Sequence, residues 1–304
     1  MLITEEIPPL TAHRIALEPE RLSLMVDSSN LLHDLPALHR RIEEDGYLLL
    51  RGYLDQELVI DARRVLTDRL MREGFLVPGT DPMDAMAAPG KNPGWYPNIV
   101  KDNVPLRHTL RSGRMMELFD RFLGGPSFCF DYTWFRLLMP GTGTPPHSDI
   151  VYMGRGTHNL YTAWTPIGTA DFVTGGLTIL EGSHRHQRLR ETYGQMDVDT
   201  FCANHPPDSK SGKGPWAKTG GSLGPNLNQL SRSLGGRWVV GEFEPGDVVI
   251  FSVYAVHAGL DNHSQSFRLS SDTRYQLSSD PKDERWIGEN PIAHGPEGKR
   301  GLIC

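Results

Sequence analysis

Apolar residues recur at two different periods along this chain, and the change from one to the other divides it. In the first third the spacing is helical. Leu58, Ala62, Val65, Leu66 and Leu70 form a stripe at 3.6 spacing, which predicts a helix from Asp55, a capping residue, to about Arg72, with Gly74 as its stop. A second helix is predicted from near Ser112 through Met115, Met116, Phe119, Phe122 and Leu123 to Gly124-Gly125. A shorter segment, Leu35 to Asp45, precedes Gly46, and Tyr47 to Arg51 reads as a strand. Between the two long helices, Val77 to Asn103 is full of Pro, Gly, Asp and Met. It reads as a long loop, and loops of that length are often functional.

After Gly125 the period falls to two. Phe128, Phe130, Tyr132 and Trp134 alternate with Cys129, Asp131 and Thr133, as on a half-buried strand. Further strands are predicted at His147–Val151, Leu160–Pro166, Leu177–Leu180, Trp238–Phe243, Asp247–Val256 and Phe267–Leu277. Short strands between Gly/Pro turns, with little helix among them, predict a sandwich or jelly roll. Residues 185–237 interrupt the pattern with a Gly/Ser/Pro/Asn-rich insertion that carries a local excess of basic over acidic side chains. With no internal repeat, the chain is expected to form one domain over 1–304. Its parts are a mixed, helical region to about 125, a β core over about 126–278 holding the 185–237 insertion, and a tail over 279–304.

Composition narrows the class. The chain has 304 residues, of which 32 are Gly and 23 Pro, which fits a turn-rich β fold and falls short of low complexity. No apolar run reaches the roughly 18 residues needed to cross a bilayer. Acidic residues in MLITEEIPPL stand where a secretory signal wants basic ones, so a soluble, cytoplasmic protein with no membrane partner is expected. The net charge of −6 argues against nucleic acid as a partner. Cys129, Cys202 and Cys304 are widely spaced, so neither a disulfide framework nor a structural zinc cluster is expected. The sequence sets no oligomeric state.

Three features could carry chemistry. In Pro145-Pro146-His147-Ser148-Asp149, residues i and i+2 of a strand share a face, which would set an imidazole beside a carboxylate. Such a pair also fits a plain hydrogen-bonded couple at a strand edge. His257 closes the apolar run that starts at Val248 and is followed by small residues; it is a candidate third ligand or a core histidine bonded to backbone. Two histidines and one carboxylate make the facial triad of non-haem Fe(II) oxygenases. Arg268, inside an alternating strand, must find an acid or an anionic ligand, and its planar fork suits a carboxylate. Arg274, on the same face, competes for that role, and surface ion pairing is open to both. His263 sits in a polar loop and is expected to be exposed. Ser211-Gly212-Lys213-Gly214 lacks the flanking residues of a phosphate loop, and Asn262-His263-Ser264 fits a glycosylation sequon by chance.

In combination, PHSD at 146–149, AWT at 163–165, GGLTILEGSH at 175–184, PGDVVIF at 245–251, His257 and Arg268 resemble the phytanoyl-CoA dioxygenase family. EDGYLLLRGYLDQELV at 44–59 is similar to that family's opening strand and helix, and the likeness runs from about residue 40 to about 278. The resemblance implies a mainly β fold with flanking helices, a double-stranded β-helix (jelly roll, cupin-like). It implies Fe(II) held by His147, Asp149 and His257, and 2-oxoglutarate held through Arg268, at the family's spacing after His257, with Trp164 as an aromatic wall. Dioxygen is the implied oxidant. Ser148 stands where members often carry glutamine, and the carboxylate of Asp149 excludes the halogenating variant, which needs a small residue there.

The expected function is therefore an Fe(II)/2-oxoglutarate-dependent dioxygenase hydroxylating an aliphatic C–H bond of a small molecule, an acidic one if the basic insertion reads substrate. Two alternatives stay open: a same-fold metal enzyme without 2-oxoglutarate, such as an epimerase or isomerase, and a non-catalytic jelly-roll binding protein. Residues 77–103 and 185–237, long and poor in periodic apolar residues, are expected to cover the metal.

Overall fold

The computed structural model describes residues 7–93, 96–202 and 220–302. The helices are α1 over Leu35–Asp45, α2 over Gln56–Arg72, α3 over Val104–Arg111 and α4 over Gly113–Leu123, and α2 and α4 form where the apolar stripes predicted them. Asp34, Asp55 and Asn103 cap the first three by accepting from free backbone N–H groups of the first turn. Gly46 ends α1 in the left-handed region, at φ +88°, and the chain turns at once into the strand Tyr47–Leu50. A Cβ on Gly46 would stand 2.5 Å from the His184 ring, so this turn requires glycine on two counts. α3 was not predicted; it follows directly on the loop at 77–103, whose described residues hold 3-10 turns at Pro82–Asp84 and Pro97–Val100 and isolated bridges at Met86 and Ala87.

Among the described residues, eleven strands make two facing sheets. In the larger, Tyr47–Leu50, Val248–Ser252, Tyr161–Pro166, Arg268–Leu277 and Ser127–Cys129 lie in that order, and Trp134–Leu138 also pairs with Arg268–Leu277. The smaller runs Leu22–Leu24, Trp238–Val240, Leu177–Leu180, His257–Gly259, Thr144–His147. Apart from the pair Leu22–Leu24 and Trp238–Val240, neighbours are antiparallel. This is the jelly roll, with edge strands from the first fifty residues closing both sheets.

The two faces of the larger sheet differ. Its outer face, with Leu48, Leu50, Ala163, Val248, Ile250, Leu269 and Tyr275, packs under the apolar stripes of the helices; Phe119 of α4 stacks on Tyr275 at 4.1 Å. Its inner face meets the smaller sheet through Tyr47, Leu49, Trp164, Val249 and Phe251 against Leu177, Ile179 and Val239. The inner face of Arg268–Leu277 carries Arg268, Ser270, Asp272, Arg274 and Gln276, all buried.

Several strand predictions needed correction. The alternation from Phe128 to Trp134 is broken into Ser127–Cys129 and Trp134–Leu138, because the N–H of Phe130 donates to Arg274 and those of Asp131 and Tyr132 to the Trp286 carbonyl. The predicted strand His147–Val151 ends at His147; Asp149 adopts φ −65°, ψ −22°, and its carbonyl accepts from Tyr152 and Met153 to open a one-turn helix, Ile150–Met153. Asp247–Val256 stops at Ser252, where the N–H of Ala255 donates back to Ser252, and His257 begins a strand of the other sheet. Trp238–Phe243 ends at Val240, and Phe243 instead pairs with Ala170. The insertion holds helices at Gln187–Glu191 and Leu227–Leu234, and Thr200–Cys202 pairs in parallel with Arg300–Leu302. The phosphate-loop-like Ser211–Gly214 lies outside the described residues.

His263 is exposed, as expected. The sequon's Asn262 is fully buried and donates to the carbonyls of Leu138 and Ser266, which leaves its amide nitrogen unavailable to a glycan. His184 Nε2–H donates to the Glu43 carbonyl and serves the turn beside Gly46.

Candidate active site

His147 closes one strand of the smaller sheet, and His257 opens the strand beside it as its direct cross-strand partner. Their ring centroids lie 4.3 Å apart. Asp149 reaches the same point from the turn that follows His147, so the convergence comes from a change of backbone direction rather than from the pleat of a single strand. One ligand atom from each of the three residues lies within 4.8 Å of the others, and all three are buried. The Nε2 atoms of His147 and His257 are each 3.8 Å from Asp149 Oδ1.

The chemistry of these donors suits a divalent ion. His147 Nδ1 sits 2.8 Å from the Pro145 carbonyl and His257 Nδ1 3.1 Å from that of Ala255. A carbonyl only accepts, so each Nδ1 carries the proton and each Nε2 keeps its lone pair for a metal. Burial, reinforced by His257 alongside, pushes the His147 imidazole down to about 3, and burial also lowers His257. Both rings are neutral at physiological pH. Burial alone would raise the carboxyl of Asp149, but Arg274, with the two histidines, holds it well below the usual carboxylate range. The set is two neutral imidazoles and one carboxylate, all with a free lone pair aimed at one point.

Two arginines six residues apart on one strand divide the work. Arg274 grips Asp149, its Nη2 2.9 Å from both Oδ1 and Oδ2, and also pairs with Asp272 at 3.2 Å. Asp272 is in turn held by Arg136. Arg268 has no such carboxylate: its Nη1 donates to Ser270 Oγ at 2.6 Å, and its buried Nε has no partner. It lines a narrow cleft with Trp164, Leu177, Phe251 and His257, and its guanidinium carbon is 5.6 Å from the Trp164 ring centre. Burial lowers Arg268 to about 10, against the pull of Asp272. A buried cation without a counter-ion is unfavourable unless an anion arrives from outside.

A second, larger cavity of about 600 Å³ opens on the other side of His147 and Asp149. Tyr132, Trp134, Tyr152 and Trp286 give it aromatic walls, and Arg136, His294 and the backbone of Gly295 add polar points. Arg136, Thr144 and His147 border both this cavity and the cleft. Trp286, Ala293, His294 and Gly295 of the tail also line it, while residues 203–219 of the expected cover lie outside the described residues. The tail is pinned by Arg285, which is fully buried and bonds Asp283, Asp197 and Asp199, while Lys299 and His294 also bond Asp199.

The family model for phytanoyl-CoA dioxygenase (PhyH) matches residues 42–270. The chain belongs to the phytanoyl-CoA dioxygenase family. It is 27% identical over 295 residues to the 1-deoxypentalenic acid 11-beta-hydroxylase of Streptomyces exfoliatus, covering 92% of this chain and 93% of that one. The 1-deoxypentalenic acid 11-beta-hydroxylase of Streptomyces arenae is 26% identical over 298 residues, with 90% of each covered. Among solved structures, the non-haem alpha-ketoglutarate-dependent carbocyclase SnoK from nogalamycin biosynthesis matches with a TM-score of 0.56 at 16% identity, over 94% of this chain and 92% of that one. EctD from S. alaskensis with 2-oxoglutarate and 5-hydroxyectoine gives 0.55 at 15%, over 92% and 93%. The epimerase SnoN with Fe3+ and alpha-ketoglutarate gives 0.53 at 18%, over 86% and 94%. At these identities the structures show the fold alone. Family and relatives together make this chain an Fe(II)- and 2-oxoglutarate-dependent oxygenase acting on a small molecule.

Sequence reasoning named His147, Asp149, His257, Arg268 and Trp164, and the structure brings all five to one end of the sandwich. It missed Thr162, Asp272, Arg136, Trp286 and His294. One signal was available: strand 268–277 carries a polar residue at every second position although its neighbours mark it as buried. Trp286 and His294, in a tail without periodicity, left no comparable trace.

Proposed function

We propose that His147, Asp149 and His257 hold Fe(II), that Arg268 binds the far carboxylate of 2-oxoglutarate beside Trp164, and that the enzyme hydroxylates a compact carboxylic acid. The observation that carries this reading is the division of arginines: the metal carboxylate has its own, Arg274, while Arg268 stays buried and without an acid. With 2-oxoglutarate and dioxygen, Fe(II) supplies an oxidant able to replace an aliphatic hydrogen with hydroxyl.

The protein's own part is orientation and shielding. The Nδ1–H bonds to Pro145 and Ala255 fix both imidazole planes, so their Nε2 atoms need no reorganisation to bind. The cleft between Trp164 and Arg268 aligns a dicarboxylate along one direction, with one end toward the triad and the other in the guanidinium fork. The aromatic walls of the larger cavity exclude water from the substrate's reacting carbon, and its volume suits a fused-ring molecule. Arg136, at the border of both spaces, supports an acidic substrate. The curated relatives are named for action on 1-deoxypentalenic acid, a carboxylic acid, which supports the same class. No helix among the described residues is long and apolar enough to cross a membrane.

The test is turnover of 1-deoxypentalenic acid and related cyclic acids with Fe(II), 2-oxoglutarate and air. A product heavier by one oxygen, with succinate released in step, is the expected result. Succinate release at the substrate-free rate across the whole acid panel, with neutral ring compounds accelerating it instead, would refute the acidic class.

A further inference from the structure

We propose that Arg274 and Thr162 are positioning residues that lock Asp149 as a one-oxygen metal ligand and so keep a coordination position open. The proposal rests on Asp149 being a ligand. Its own evidence is the unequal treatment of the two carboxylate oxygens. Oδ2 accepts from Thr162 Oγ1 at 2.5 Å and from Arg274 Nη2 at 2.9 Å, which commits both of its lone pairs. Oδ1 accepts only from Arg274 and is the oxygen that lies 3.8 Å from both imidazole Nε2 atoms. The carboxylate is thereby turned with one oxygen toward the histidines and the other tied to the strands behind it.

The clamp is itself immobile. Arg274 Nη1 donates to the Asp272 carbonyl at 2.6 Å, and its guanidinium lies 4.2 Å from the Trp134 ring centre. Asp272 pairs with it from the same strand face and is fixed from the next strand by Arg136. Arg274 and Asp149 are both 1% exposed, so neither side chain can swing into water. Thr162 sits opposite Arg274 in the ladder between their strands, so its hydroxyl adds a second donor on Oδ2 while Arg274 Nη2 spans both oxygens.

The consequence is a matter of counting. Three protein atoms on a six-coordinate ion leave three positions, enough for a two-point co-substrate and one further small ligand. If Asp149 rocked to give both oxygens, the third of those positions would be lost. A planar guanidinium whose Nη2 spans both oxygens while its Nη1 is anchored on Asp272 prevents that rotation; a single ammonium does not.

The experiment uses the full-length protein, metal-free, with Co(II) as probe, without and with 2-oxoglutarate, reading affinity and visible spectrum. Arg274→Lys keeps the charge, so a change cannot be laid to lost Coulomb repulsion of the metal. We expect Co(II) binding weaker by about 10- to 100-fold, and the weaker visible absorption of a higher coordination number. Thr162→Val, which removes the other donor and keeps the shape, should shift the spectrum in the same direction by a smaller amount. If Arg274→Lys does not fold, Thr162→Val decides alone. Parental affinity and spectrum in both would overturn the clamp. Asp149→Asn separates the two levels of argument. If it binds Co(II) as the parent does, the ligand assignment falls and the clamp with it. If it loses the metal while Arg274→Lys and Thr162→Val retain parental behaviour, only the clamp falls.

Discussion

Replacing Arg268 with Met should remove 2-oxoglutarate binding without weakening the fold, and that combination is unusual for a buried arginine. In general, taking one partner from a buried ion pair costs about 3–5 kcal/mol, because the other charge is left stranded. Arg268 strands nothing in the free protein: its one side-chain acceptor is a serine hydroxyl, and its Nε has no partner. Met retains much of the stem's packing against Trp164 and removes an uncompensated cation. The melting temperature of the substrate-free protein should therefore hold or rise. The bound state differs, since a desolvated charge pair with the co-substrate typically contributes about 2–5 kcal/mol, or about 30-fold to several-thousand-fold in affinity. The assay is anaerobic titration of the Fe(II) protein with 2-oxoglutarate, following the charge-transfer absorption of the complex, beside thermal melts of the free protein. Arg274→Met is the contrast, because it takes the arginine from Asp149 and leaves Asp272 with Arg136 alone, and it should lower the melting temperature. A 2-oxoglutarate dissociation constant within about threefold of the parent in Arg268→Met, a loss of under 1 kcal/mol, would refute the assignment of this arginine.

Two further outcomes follow from buried charges elsewhere. Arg285→Met deserts the carboxylates of Asp283, Asp197 and Asp199; about 3–5 kcal/mol should be lost, read as a fall of roughly 5–15 °C in melting temperature, and an unchanged melt would mean the tail is not anchored there. Metal-free protein should lose stability on acidification below about pH 6.5, since His147, His184 and His257 all have lowered proton affinity when folded, chiefly through burial. In that window the unfolded chain binds more protons than the folded one, so stability falls as pH falls. Thermal melts between pH 7.5 and 5 test the sign, and a flat or rising profile would contradict it.

What the sequence disclosed, and what it hid, follows from where the determining interactions lie. The helix stripes are local, so α2 and α4 were legible to within a residue or two. The metal triad was legible for a related reason: its residues bond to backbone two positions away, Pro145 for His147 and Ala255 for His257, so their geometry is set within short segments. Even there the inference reached the residues that converge through the wrong local geometry, because a pleat and a strand-to-helix turn can both set residues i and i+2 toward one point. Arg268 and Arg274 could not be separated from sequence, since they share a face of one strand, and what distinguishes them is a carboxylate 125 positions earlier in the chain that reaches only one of them. The tail shows the same limit more sharply. Trp286 and His294 border the larger cavity only because Arg285 finds acids at 197 and 199, in a segment that periodicity describes as a featureless insertion. Chemistry built from neighbours in sequence leaves a pattern; chemistry built from distant charges meeting in the interior leaves only isolated polar residues where an apolar one would be expected. The alternating polar positions of strand 268–277 are the trace of that second kind, and they mark the strand to which we assign both co-substrate binding and metal-ligand orientation.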